Sequence, residues 1–148
     1  MSESARVLVI DDEETIRKTI SMTLQHAGYS VDTAENGREA VRKSEGSFYN
    51  LAVIDVRLPD MEGTELLTKL KDTTPRMVKI ILTGFPGLQN AVTAINKGVD
   101  AYLIKPVNPT ELLRVVKEHL NKQKEEKVYS EEKVAKFVES RFKELETK

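Results

Sequence analysis

Five short apolar runs, each followed by a segment of helical period, constrain this chain more than any other feature. Arg6-Val-Leu-Val-Ile10, Ser30-Val-Asp-Thr-Ala34, Leu51-Ala-Val-Ile54, Val78-Lys-Ile-Ile-Leu82 and Ala101-Tyr-Leu-Ile104 are short and rich in β-branched residues. That pattern marks strands, and the continuous runs suit strands buried on both faces. Between them, apolar residues recur every three to four positions, as on amphipathic helices. Ile16, Ile20, Leu24 and Ala27 form the first stripe, closed by Gly28. Ala40 and Val41 mark a short second helix after the Asn36-Gly37 turn, and Leu66, Leu67 and Leu70 mark a third. Ala91, Val92, Ala94 and Ile95 mark a fourth, closed by Gly98 after the loop Gly84-Phe-Pro-Gly87. Leu112, Leu113, Val116 and Leu120 line a fifth, with Pro109 in its first turn. Strict alternation of strand and helix requires parallel pairing through right-handed crossovers. The expected fold is α/β, a doubly wound five-stranded parallel sheet with helices on both faces. In such sheets function gathers at the carboxyl ends of the strands.

Those ends carry chemistry. The first strand delivers Asp11 and Asp12, the third Asp55, the fourth Thr83, and the fifth Lys105, followed by Pro106. An Asp-Asp pair alone is an ordinary helix cap, and a single Thr or Lys at a strand end is ordinary surface. The whole set on one rim is a different matter. Three carboxylates brought together repel one another, and a hard divalent cation such as Mg²⁺ relieves that repulsion. Composition removes the competitors. With 0 Cys and 2 His among 148 residues, thiolate metal sites and cysteine nucleophiles are excluded. Lys+Arg of 23 against Asp+Glu of 24 leaves a net charge of -1, no footprint for nucleic acid or an anionic membrane. No apolar run approaches the roughly 18–20 residues that span a bilayer, and the polar start lacks a signal peptide's basic region. A cytoplasmic chain binding neither nucleic acid nor membrane is expected. The glycine signatures of P-loops and dinucleotide sites are missing, and Asp11-Asp-Glu-Glu14 would repel a pyrophosphate where the latter belongs.

Four motifs resemble the receiver domain of two-component response regulators: Val7-Leu-Val-Ile-Asp-Asp-Glu13, Ala52-Val-Ile-Asp-Val-Arg-Leu-Pro-Asp-Met-Glu-Gly63, Ile81-Leu-Thr-Gly84 and Ala101-Tyr-Leu-Ile-Lys-Pro106. They stand in the family's order and spacing and cover about residues 5–121. The resemblance implies a flavodoxin-like strand order 2-1-3-4-5 and a phosphoryl switch. It implies Asp55 as phosphoacceptor from a histidine kinase or phosphotransfer protein. Asp11, Asp12, Asp55 and the main-chain carbonyl of Arg57 would hold Mg²⁺. Lys105 and Thr83 would bind phosphoryl oxygens, and Tyr102 would fill space vacated as Thr83 moves inward. A cis bond between Lys105 and Pro106 is implied as well. The switched surface is the fourth helix, fifth strand and fifth helix, offered to an output domain or partner. The domain is expected to be a phosphoacceptor rather than an enzyme, taking phosphoryl groups from small donors and losing its own by hydrolysis. Arg57 would border the path of attacking water and influence phosphoryl lifetime.

Two other functions compete. A haloacid-dehalogenase-type phosphatase needs a second Asp where Arg57 stands. A phosphorylation-independent receiver would bind partners only, but all five site residues are present. The chain divides into a receiver, residues 1–121, and a charged linker with a C-terminal amphipathic helix, residues 122–148. More than half of the latter residues are charged. Lys122 to Lys127 reads either as a solvated linker or as an extension of the preceding helix. Ser130 resembles an N-cap, and Val134, Phe137, Val138, Phe142 and Leu145 form one stripe beyond it. The stripe either packs on the receiver or forms a homodimer seam. A receiver within a larger regulator is favoured over a complete single-domain one, because charged helical linkers commonly join receivers to effectors in that family.

Overall fold

The computed structural model describes residues 4–84, 87, 96 and 98–146. Five parallel strands, β1 (Arg6–Ile10), β2 (Ser30–Ala34), β3 (Leu51–Asp55), β4 (Val78–Thr83) and β5 (Ala101–Ile104), form one sheet in the order β2-β1-β3-β4-β5. The central strands β1, β3 and β4 are buried almost throughout, as their continuous apolar runs require. Among the described residues there are four helices: α1 (Glu14–His26), α2 (Gly37–Gly46), α3 (Gly63–Lys69) and α4 (Pro109–Glu146). The helix predicted around Ala91, Val92, Ala94 and Ile95, and the Phe85-Pro86 loop, fall outside the described residues.

Alternation along each strand divides the core in two. Val7, Val9, Val53, Ile80, Leu82 and Leu103 meet Ile20 and Leu24 of α1 and Leu112, Val116 and Leu120 of α4. On the other face Leu8, Ile10, Ile54 and Ile81 meet Ala40 of α2, Leu66 and Leu67 of α3, and Leu70 just past its end. The period-two pattern of the strands therefore builds both layers at once. Gly28, just past α1, takes a φ of 98°, open only to residues without a side-chain penalty there. Asn36 caps α2, accepting from the Glu39 amide at 2.8 Å.

The last helix differs from the expected segmentation. It runs unbroken from Pro109 to Glu146, so Ser130 lies inside it and caps nothing. The physical reason is local and tertiary. Lys122-Gln-Lys-Glu-Glu-Lys127 consists of strong helix formers with no breaker, and Lys122 pairs with Glu118 one turn back. Gln123 is buried and anchors this turn: its Nε2 donates to the carbonyls of Asn50 (2.9 Å) and Arg76 (2.8 Å). Its Oε1 accepts from Asn50 Nδ2 at 3.2 Å. Beyond it, residues 124–146 are all exposed, and the apolar stripe does not pack on the receiver.

Candidate functional site

Parallel strands end on the same edge, and here each end is a polar side chain. Asp11 follows β1 with its carboxylate fully buried. It is held from two sides: its Oδ1 accepts from the Glu13 amide at 2.9 Å, and its carbonyl accepts from Arg17 Nη1 at 2.9 Å. One carboxylate oxygen thus engages the start of α1, whose N-cap Glu13 offers no side-chain cap bond of its own, and the other faces Lys105 on the rim. Asp12 beside it is exposed. Asp55 ends β3, 6% exposed, with Oδ1 accepting from the Arg57 amide at 3.3 Å. One oxygen from each of Asp11, Asp12 and Asp55 can be chosen so that all three lie within 4.8 Å of one another. Thr83, at the end of β4, is fully buried.

Lys105 closes the constellation from β5. Its Nζ stands 3.1 Å from Asp11 Oδ2 and 3.3 Å from Asp55 Oδ1. Its amide donates to the Thr83 carbonyl at 2.7 Å, extending the β4–β5 pairing past the strand ends. The peptide bond to Pro106 is cis. Burial first, then the neighbouring charge of Asp11, pushes the Asp55 carboxyl above the ordinary carboxylate range, with Lys105 opposing. Burial works against the Lys105 ammonium, but its bonds and attraction to Asp11 and Asp55 outweigh this and lift its pKa. One ammonium cannot neutralise three carboxylates. The residual negative charge and the all-oxygen donor set are what a hard divalent cation fits.

Two residues that sequence reasoning passed over hold the Asp55 loop in place. After Asp55 the chain makes a tight turn, with the Leu58 amide donating to Met61 O and an antiparallel bridge between Arg57 and Glu62. Gly63 then returns against its own strand, its amide donating to Val56 O at 2.7 Å. A Cβ there would lie 2.3 Å from the carbonyl oxygen of Asp55 and 2.8 Å from Val56 Cα. Asp60, at the tip of the turn, accepts from the amides of Gly37 (2.8 Å) and Arg38 (2.9 Å) and so ties the loop to the start of α2. The Leu-Pro-Asp-Met-Glu-Gly stretch was the available signal for both.

Tyr102 on β5 packs its ring against the α2–α3 side of the core. Its hydroxyl is buried and, among the described residues, has no hydrogen-bond partner. The next residue but one, Ile104, is 54% exposed.

The model of the response regulator receiver domain matches residues 7–117, and the chain belongs to that family. It is 33% identical over 116 residues to the transcriptional regulatory protein ResD of Bacillus subtilis, covering 78% of this chain and 48% of ResD. It is 32% identical over 143 residues to the transcriptional regulatory protein SrrA of Staphylococcus aureus, covering 97% of this chain and 58% of SrrA. The chain thus spans about half the length of the curated relatives it matches. Among solved structures it is similar to a CheY-like receiver domain protein of Methanospirillum hungatei. The TM-score is 0.80 at 44% identity, over 84% of this chain and 99% of that one. A Burkholderia pseudomallei response regulator, solved with a phosphorylated aspartic acid, calcium ion and citrate, matches with a TM-score of 0.72 at 29% identity. That match covers 86% of this chain and 75% of that one. No helix among the described residues is long and apolar enough to cross a membrane.

Proposed function

We propose that this receiver is a phosphorylation-dependent switch, taking a phosphoryl group on Asp55 from a sensor histidine kinase or phosphotransfer protein in the cytoplasm. The observation that carries the reading is the convergence of Asp11, Asp12, Asp55 and Lys105 on one rim. An Asp55 carboxylate oxygen attacks the donor phosphorus as the phosphorus–nitrogen bond breaks, and the imidazole leaves. Such transfers ask for in-line positioning and for positive groups that neutralise the charge on the equatorial oxygens. Asp11, Asp12, Asp55 and the Arg57 carbonyl are the groups that would hold Mg²⁺, which supplies positive charge to those oxygens when bound. Lys105 reaches Asp55 already, so its ammonium is placed to follow the added charge. The Thr83 hydroxyl is assigned a second phosphoryl oxygen. The acyl phosphate product stays open to water, so the signal limits itself, and Arg57, on the exposed side of the site, influences how fast.

Output follows from a two-state bias. An unpartnered buried hydroxyl costs about 1–3 kcal/mol, so the described arrangement of Tyr102 competes with any that satisfies it. Drawing Thr83 toward a phosphoryl oxygen favours such a rearrangement and alters β5, the first turns of α4 and the helix predicted before β5. That surface addresses a partner or an output domain of a larger regulator, as the half-length match to transcriptional regulators supports. The switch is tested by incubating the chain with acetyl phosphate. Intact mass rises by one phosphoryl group with Mg²⁺, and the gain is absent with chelator or in Asp55→Asn. No gain in the wild type with small donors or a kinase would leave only a partner-binding module.

A further inference from the structure

We infer that the distal half of α4 is one strand of a parallel homodimeric coiled coil, with a second copy of this chain as its occupant. Residues 124–146 make no receiver contact that buries them, yet Val134, Phe142 and Leu145 are 62%, 62% and 67% exposed. A helix this apolar on one side is unstable alone in water and takes a partner. The residues along it name which partner.

With Val128 placed at position a of a heptad, a falls on Val128, Ala135 and Phe142, and d on Glu131, Val138 and Leu145. Glu131 alone interrupts the seam, and of the apolar stripe Val134 flanks it at g while Phe137 falls outside it at c. Position e is then Glu132, Glu139 and Glu146, while g is Lys127, Val134 and Arg141. In a parallel pair each g residue meets the e residue five positions further along on its partner. Lys127 therefore faces Glu132 of the second copy, and Arg141 faces Glu146. In an antiparallel pair e meets e and g meets g, which opposes glutamate to glutamate and cation to cation. The charge pattern is self-complementary in one orientation only. Geometry supports it as well: the Gln123 bonds to Asn50 and Arg76 fix the helix to the receiver at the point where it leaves the domain. The seam residues emerge on a rigid extension about 27 Å long over Val128–Leu145.

The test uses the full, unphosphorylated chain, so its outcome is independent of phosphoryl transfer. Sedimentation equilibrium over rising concentration should approach twice the 16.7 kDa of one chain. Glu132→Lys/Glu146→Lys and Lys127→Glu/Arg141→Glu should each remain monomeric, and their equimolar mixture should recover the doubled mass. Glu131→Leu should shift the monomer–dimer midpoint to lower concentration. Because the chain has 0 Cys, single cysteines report register cleanly. Val138→Cys on the seam should cross-link under oxidation, and Ser140→Cys on the outer side should not. A monomer at every concentration, charge variants that keep the doubled mass, or Ser140→Cys cross-linking as well as Val138→Cys would overturn the inference.

Discussion

Gly63→Ala tests the structure where it touches the chemistry. The added methyl would sit 2.3 Å from Asp55 O and 2.8 Å from Val56 Cα. Both are backbone atoms at the strand end that carries Asp55, the proposed phosphoacceptor, so no side-chain rotation relieves the clash. Restoring an ordinary contact near 3.4 Å requires a shift of roughly 1 Å between the start of α3 and the Asp55 loop. Overpacking of this kind costs about 1–3 kcal/mol. A displacement of about 1 Å at a reacting group lowers the rate on the order of 100-fold. Two assays separate these effects: urea denaturation for stability, and intact-mass kinetics with acetyl phosphate for phosphoryl uptake. Gly46→Ala is the control, since a Cβ there meets nothing within 4 Å. The expected result is a lower urea midpoint and slow uptake in Gly63→Ala, with Gly46→Ala unchanged or slightly more stable. Wild-type stability together with wild-type uptake in Gly63→Ala would refute the close approach.

Gln123→Ala removes its bonds to the carbonyls of Arg76 and Asn50, of which Asn50 keeps the Val78 amide, and should lower stability by about 1–3 kcal/mol. Amide hydrogen exchange beyond residue 123 should accelerate with it; an unchanged urea midpoint contradicts the anchor. Lys79 is buried in β4 with Nζ donating to Leu67 O at 3.2 Å. Burial, reinforced by Arg76, holds its pKa below the ordinary lysine value. The unfolded chain therefore keeps this proton to higher pH than the folded one, so stability rises as pH climbs from the folded toward the unfolded pKa. Lys79→Met should lose that alkaline rise, read by urea titration at neutral and alkaline pH. Arg57→Ala should change the rate at which phosphoryl label is lost, and an identical decay would remove Arg57 from the water path.

The strands were legible because each is a β-branched run bounded by a polar residue, and β1, β2 and β5 fall within the predicted ends. Site residues were legible for a related reason: strand–helix alternation forces parallel pairing, and parallel strands deliver Asp11, Asp55, Thr83 and Lys105 to one edge. What stayed hidden depends on contacts far apart in sequence. Gln123 is an unremarkable polar residue until Asn50, 73 positions away, is seen beside it. Ser130 carries the chemistry of a cap, yet helix-forming neighbours on both sides and the Gln123 anchor override it. Gly63 looks like any loop glycine until the backbone of Asp55 is placed against it.

The most direct measurement locates the phosphoryl group. Chain treated with acetyl phosphate and Mg²⁺ is reduced with borohydride, which converts an aspartyl phosphate to homoserine, and is then digested and sequenced by tandem mass spectrometry. The modification should appear at position 55 alone. Modification at Asp11, Asp12 or Asp60, or none after a confirmed gain in intact mass, would contradict the assignment of Asp55 as phosphoacceptor.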